Sequence, residues 1–174
     1  MQKVNIPVSL DPVRSAQKQQ SFDGLIPHSA LSRLAEMALP EGRVEVTLAC
    51  DRDEQNLAVL RAQIRTQLQL ECQRCNHPFV EDIELDVTFS PVRDDEAAEQ
   101  LPAGYEPVML SDADDVNIHQ LIEDEVLLAV PFAPMHDEAS CEQSSHMSWG
   151  EIDEAAEEKP NPFAVLSKLK NSEE

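Results

Sequence analysis

Two long stretches of strict alternation flank Cys72-Gln73-Arg74-Cys75, and they limit what this chain can fold into more than any other feature. Upstream, Ala58, Leu60, Ala62, Ile64, Thr66, Leu68 and Leu70 recur at every second residue, with Arg61, Gln63, Arg65, Gln67 and Gln69 between them. Downstream, Phe79, Ile83, Leu85, Val87 and Phe89 hold one parity, and Asp82, Glu84, Asp86 and Thr88 hold the other. A period of two puts the apolar set on one face of a strand. The pattern predicts a long antiparallel hairpin with both cysteines in its connection. Cys-x-x-Cys spacing in a tight turn lets two thiolates converge on one ion, which is half of a tetrahedral zinc site.

Other elements follow from the same two periods. Lys3 to Leu10 reads as a strand, Asp11 to Ser21 as a polar stretch, and Val44, Val46, Leu48 and Cys50 as a further strand turned at Asp51–Asn56. Pro27-His28-Ser29 opens an amphipathic helix with Leu31, Leu34, Ala35 and Ala38 on one side, ending near Pro40 and Gly42. Pro91 breaks the last long strand, Asp94 to Gly104 is an acidic excursion, and Tyr105 to Leu110 adds a short strand. A second helix runs from Ile118 to Ala129, with a capping-box pattern of Asn117 and Gln120 and a stripe of Ile118, Leu121, Ile122, Val126 and Ala129. Pro131 and Pro134 end it, and His136 to Trp149 reads as a loop. The expectation is an α+β fold: an antiparallel β-sheet with long hairpins, flanked by two or three helices. Residues 1–150 form the single domain; residues 151–174 are an acidic linker and a short C-terminal docking helix.

Charge is unevenly spread. The net charge is −21; residues 1–80 balance nine acidic against nine basic side chains, whereas residues 81–158 carry 23 acidic residues and Arg93 alone as a cation. Such a surface repels phosphate backbones and fits a basic protein partner, although acidity also serves solubility alone. No segment is apolar enough to span a bilayer, and the start of the chain lacks the charged-then-apolar form of a signal peptide. Four unevenly spaced cysteines do not resemble a secreted disulfide framework, so the reading is cytoplasmic.

The other half of a metal site is supplied by His136 and Cys141, giving Cys-x2-Cys followed by His-x4-Cys. His77 is an alternative imidazole. Two other readings stay open: half-buried thiols in a turn, and redox chemistry, against which stands the strand rather than helix after Cys75. Cys50 falls on a core parity. His28, His119 and His146 have no acid or nucleophile at a telling spacing, and Glu123-Asp124-Glu125 reads as a solvated helix face. With four glycines, no phosphate loop and no Ser/His/Asp set, nothing points to an enzyme or a small-molecule substrate. Arg61, Arg65 and Arg74 form either a small basic strip or ordinary cross-strand partners of Glu81, Asp82 and Glu84.

Several runs, in order, resemble the bacterial YceD family of large ribosomal RNA subunit accumulation proteins. They are Met1-Gln2-Lys3-Val4, Leu10-Asp11-Pro12-Val13-Arg14, Leu70-Glu71-Cys72-Gln73-Arg74-Cys75, Phe89-Ser90-Pro91-Val92-Arg93, Tyr105-Glu106-Pro107, Glu123-Asp124-Glu125, Pro134-Met135-His136-Asp137 and Lys159-Pro160-Asn161-Pro162-Phe163-Ala164-Val165-Leu166. The resemblance implies a non-enzymatic role in 23S rRNA accumulation, with a large-subunit precursor as partner. Several members of that family carry cysteines where this chain has His136 and Cys141, often followed by further cysteines. That pattern implies zinc; this chain departs from it in its single histidine and in lacking the later cysteines. The expected contact is a basic ribosomal protein; the alternative is direct RNA binding through Arg61, Arg65, Arg74 and the lysine-bearing tail. In that tail Phe163, Leu166 and Leu169 share a helical face beside Lys168 and Lys170, which suits either docking on a ribosomal partner or packing back on the sheet.

Overall fold

A computed structural model describes residues 6–35, 37–39 and 41–141. The elements in chain order are β1 (Ser9–Leu10), α1 (Pro12–Gln17), β2 (Ser21–Pro27), β3 (Arg43–Arg52), β4 (Ala58–Glu71), β5 (Pro78–Val92), α2 (Asp95–Glu99), β6 (Glu106–Met109), β7 (Val116–Asn117) and α3 (Ile118–Ala129). Single 3-10 turns occupy His28–Ala30, Ser32–Leu34 and Glu138–Ser140. The main sheet has the order β2-β3-β4-β5-β6; β2 to β5 are antiparallel neighbours, and β6 joins the edge of β5 in parallel. A separate two-stranded ribbon pairs β1 with β7.

The alternation read in the sequence is the alternation of burial. Val44, Val46 and Leu48 of β3 and Leu60, Ala62, Ile64 and Leu68 of β4 are all fully buried, while Arg61, Gln63, Arg65, Gln67 and Gln69 are exposed. α1 lies against β3 and β4, and α3 lies against β5. α3 buries Ile118, Ile122 and Val126, four residues apart on one stripe. Each such side chain contributes roughly 1.5–3 kcal/mol by leaving water. Asn117 caps α3 by accepting the Gln120 N–H at 3.0 Å.

Several expected elements take a different form. Among the described residues of 27–38 there is no α-helix, only the two 3-10 turns. The His28 side chain reaches into the sheet, 2.8 Å from the Thr66 hydroxyl. The Arg33 N–H donates to the Glu123 carboxylate, and the Leu34 N–H is shared between that carboxylate and the Leu31 carbonyl of a 3-10 turn. Gln69 N–H donates to the Met37 carbonyl, and Ala38 bridges to Leu68. Backbone groups satisfied by the sheet and by α3 are not available for a helical ladder. The stretch Asp11–Ser21 holds α1, capped by Asp11, and β2 begins at Ser21. Of the expected strand Lys3–Leu10 the described part is residues 6–10; there Ser9–Leu10 pairs and Ile6–Val8 lie outside any strand. Asp94–Gly104 contains α2. Glu123 is buried, not part of a solvated face: it pairs with Arg33 at 2.9 Å, and Arg33 also reaches Asp124. The boundary at residue 150, the linker 151–158, and Phe163, Leu166, Lys168, Leu169 and Lys170 lie outside the described residues.

Candidate metal centre

The connection between β4 and β5 is a tight knuckle. Cys72 N–H donates to the His77 carbonyl at 3.0 Å, and Asn76 N–H donates to the Cys72 carbonyl at 2.8 Å. Asn76 adopts φ 58°, a left-handed value that asparagine accepts more readily than most residues. The reversal points both thiols to the same side. The chain beyond α3 is stitched to it, because Gln73 N–H donates to the Pro134 carbonyl at 2.9 Å. That contact brings in His136, whose ring stands edge-on to Phe79 with centroids 5.5 Å apart. Glu138–Ser140 then turns Cys141 inward, where it is buried.

One ligand atom from each of Cys72, Cys75, His136 and Cys141 lies within 4.8 Å of every other. The His136 Nε2 is 3.1 Å from Cys75 Sγ, while its Nδ1 is 3.3 Å from the Asp137 carbonyl. A proton on Nδ1 donated to that carbonyl leaves the Nε2 lone pair facing the sulfurs. Zn–S bonds of about 2.3 Å give tetrahedral edges of about 3.8 Å, so these atoms need to shift by only about 1 Å or less, the widest pairs closing and the His136–Cys75 pair opening slightly. The imidazole in the group is that of His136; His77 instead contributes its backbone, with its carbonyl on Cys72 and its N–H toward the Cys75 sulfur.

The backbone is arranged for thiolate. Burial works to raise the Cys72 thiol, but the N–H groups of Arg74, Cys75 and His136 aimed at its sulfur, with the Cys75 side chain, bring it down to about 6. At Cys75 the His77 N–H works downward, and burial with the neighbouring Cys72 and Cys141 thiols outweighs it. N–H donors grouped on sulfur favour the charged form. Cys50 has no such setting; burial pushes it up to about 11, as befits a core thiol.

Arg74, between the cysteines, is partly buried: one guanidinium nitrogen lies 3.7 Å from Met135 Sδ and the other is buried without a hydrogen-bond partner. Arg65 is engaged by Glu84 at 2.8 Å, the cross-strand pairing available to it from the alternation. The Arg33–Glu123 link, which ties the segment before β3 to α3, was not evident from the sequence. Its one signal is that Glu123 follows Ile122, at the border of the apolar stripe.

The family described as "Large ribosomal RNA subunit accumulation protein YceD" matches residues 60–170. A Haemophilus influenzae protein of that description is 38% identical over 172 residues, 98% of this chain and 99% of its own length. The chain belongs to the YceD family. No solved structure matches it at a significant level. The YceD match starts within β4 and contains all four candidate ligands, so the knuckle and the loop that meets it are both inside the family's own span.

Proposed function

We propose that this protein is a non-enzymatic, cytoplasmic factor for accumulation of 23S rRNA in the large ribosomal subunit, and that one zinc ion held by Cys72, Cys75, His136 and Cys141 pins its fold. Near full-length relation to the Haemophilus influenzae protein carries the role. Convergence of the four ligand atoms supports the metal. With four protein ligands a zinc ion keeps no open position for water or substrate, which makes it a cross-link and not a catalyst. When bound, zinc supplies folding free energy. The residues do the rest: they fasten the chain after α3 to the turn between β4 and β5.

Charge selects the partner. The excess of acid over residues 81–158 favours a basic ribosomal protein over naked rRNA. Arg65 is already paired with Glu84, which weakens a direct RNA contact through β4. Residues 160–170 serve as a docking peptide, with Phe163, Leu166 and Leu169 as its apolar face and Lys168 and Lys170 beside it. Pull-down of large-subunit precursors with and without RNase tests the partner: retention of a ribosomal protein after RNase supports this reading, and complete loss supports direct RNA binding. Deletion after Glu158 tests the tail; unchanged affinity for precursor particles with lowered thermal stability overturns the docking role.

A further inference from the structure

β5 is fifteen residues long, yet it has two strand neighbours only near its end. β6 pairs with Phe89–Val92 alone, so among the described residues Pro78–Thr88 has β4 on one side and no strand on the other. Eleven residues of open edge span about 37 Å and present every second N–H and C=O outward.

The side chains along this edge form two rows. On the inner row Phe79, Leu85 and Val87 are only partly buried against the core. On the outer row stand Asp82, Glu84 and Asp86, with Glu81 on the inner parity and no Lys or Arg anywhere in Pro78–Val92. Arg65 pairs with Glu84, while Gln63 and Gln67 offer only neutral amides to Asp86 and Asp82. At the far end Glu106 opens β6 close to Glu125 of α3. The Glu125 carboxyl is raised by burial and by the charges of Glu106 and Asp124. Of these three carboxylates Asp124 is held by Arg33, and the like charges add to burial in disfavouring the ionised Glu125.

From this we infer that the open edge of β5 is a docking site for an extended basic peptide, which adds as a strand in line with β6. Main-chain pairing supplies the attachment. Lysine or arginine on one face meets Asp82, Glu84 and Asp86, and apolar residues on the other face complete the burial of Leu85 and Val87. A second copy of this chain fits poorly, because it would set a second row of carboxylates against the first. Residues 142–174 also fit poorly, with eight acidic and three basic side chains. The inference rests on the reading of this protein as holder of a basic ribosomal protein, and it names the surface that does the holding.

The probe is a capped twelve-residue peptide of alternating lysine and valine, compared with the same peptide N-methylated at alternate residues and with twelve lysines. Full-length protein is used, with amide hydrogen exchange as the second readout. The alternating peptide binds, N-methylation weakens it about tenfold or more through lost ladder bonds, and slowed exchange appears at alternate amides within residues 78–88. The variant Asp82→Lys/Asp86→Lys, altered only at exposed positions, loses binding about tenfold while keeping its circular dichroism. Equal binding of all three peptides overturns the inference, since it shows charge attraction without strand addition. So does protection of those outward amides in the free protein, which shows the edge already covered. If that variant loses the peptide yet still co-sediments with large-subunit precursors, the edge is not the ribosomal contact, and the function proposed above stands without it. Failure of the wild type to co-sediment removes that function, while peptide binding still reports on the edge.

Discussion

His136 places its Nε2 3.1 Å from the Sγ of Cys75, across 61 positions of sequence. The contact joins the turn between β4 and β5 to the loop after α3, and it sits inside a group of three thiols and one imidazole. Across the same junction run the Gln73–Pro134 hydrogen bond, the Arg74–Met135 contact and the packing of His136 on Phe79, and an ion would add a link through all four ligands.

Glu123→Ala should destabilise the fold by about 3 kcal/mol, because it leaves the Arg33 N–H without its acceptor, takes one of two acceptors from the Leu34 N–H, and removes the buried carboxylate partner of the Arg33 guanidinium. Urea denaturation measures this. Asp124→Ala, at a half-exposed carboxylate bound to the same guanidinium, should cost less than about 1 kcal/mol.

Gly42→Ala should cost about 2 kcal/mol by overpacking. A Cβ at Gly42 would lie 2.2 Å from the Nδ1 of the buried His28 ring, whose other nitrogen holds Thr66, so the ring must give up that contact to make room. A fall in melting temperature for Gly42→Ala, set against no change for Gly104→Ala placed on a surface turn with open space, is not the expected contrast, since Gly104 has φ +90° and is strained by alanine for a different reason. The proper control is Ser29→Ala, on the exposed face of the same turn.

Burial lowers the pKa of His28. The unfolded chain, with an ordinary value near 6.5, therefore takes up the proton first as pH falls. The contribution of neutral His28 is complete above that value and is lost as pH drops through the folded one. Wild type should lose stability relative to His28→Asn as pH falls below about 6.5, read as the difference of two urea midpoints.

Glu125→Gln should raise the melting temperature at neutral pH. Its carboxyl is held up by burial first, then by Glu106 and Asp124, so the charged form is the strained one. The same change should weaken binding of the alternating lysine–valine peptide, which gives this residue opposite effects on stability and affinity. Parallel loss of both would contradict it.

Much of this fold was legible because period-two patterning is local. β3, β4 and β5 are read from which parity is apolar, and α3 from a four-residue stripe with an asparagine cap. β2 was not: Ser21–Pro27 places Gly24 at a buried position, so the alternation is broken where it matters. α1 is signalled only by Asp11 before Pro12, where Asp11 accepts the Arg14 N–H at 2.8 Å, and its six residues are too short to show an apolar period. The segment 27–38 has helical spacing of Leu31, Leu34 and Ala38, but its N–H and C=O groups find partners on Glu123 and β4, and only the tertiary structure reveals that. Within the candidate site, Cys72 and Cys75 are evident from spacing. The proximity of His136 and Cys141 depends on α3 returning the chain to the hairpin turn, which no local pattern encodes.

Zinc content is the most direct measure of the central claim. Protein purified without chelator should carry one zinc per chain by elemental analysis, and Cys75→Ser should lower both the zinc content and the melting temperature. Sub-stoichiometric zinc in the wild type, unchanged by Cys75→Ser, would contradict a structural metal centre at Cys72, Cys75, His136 and Cys141.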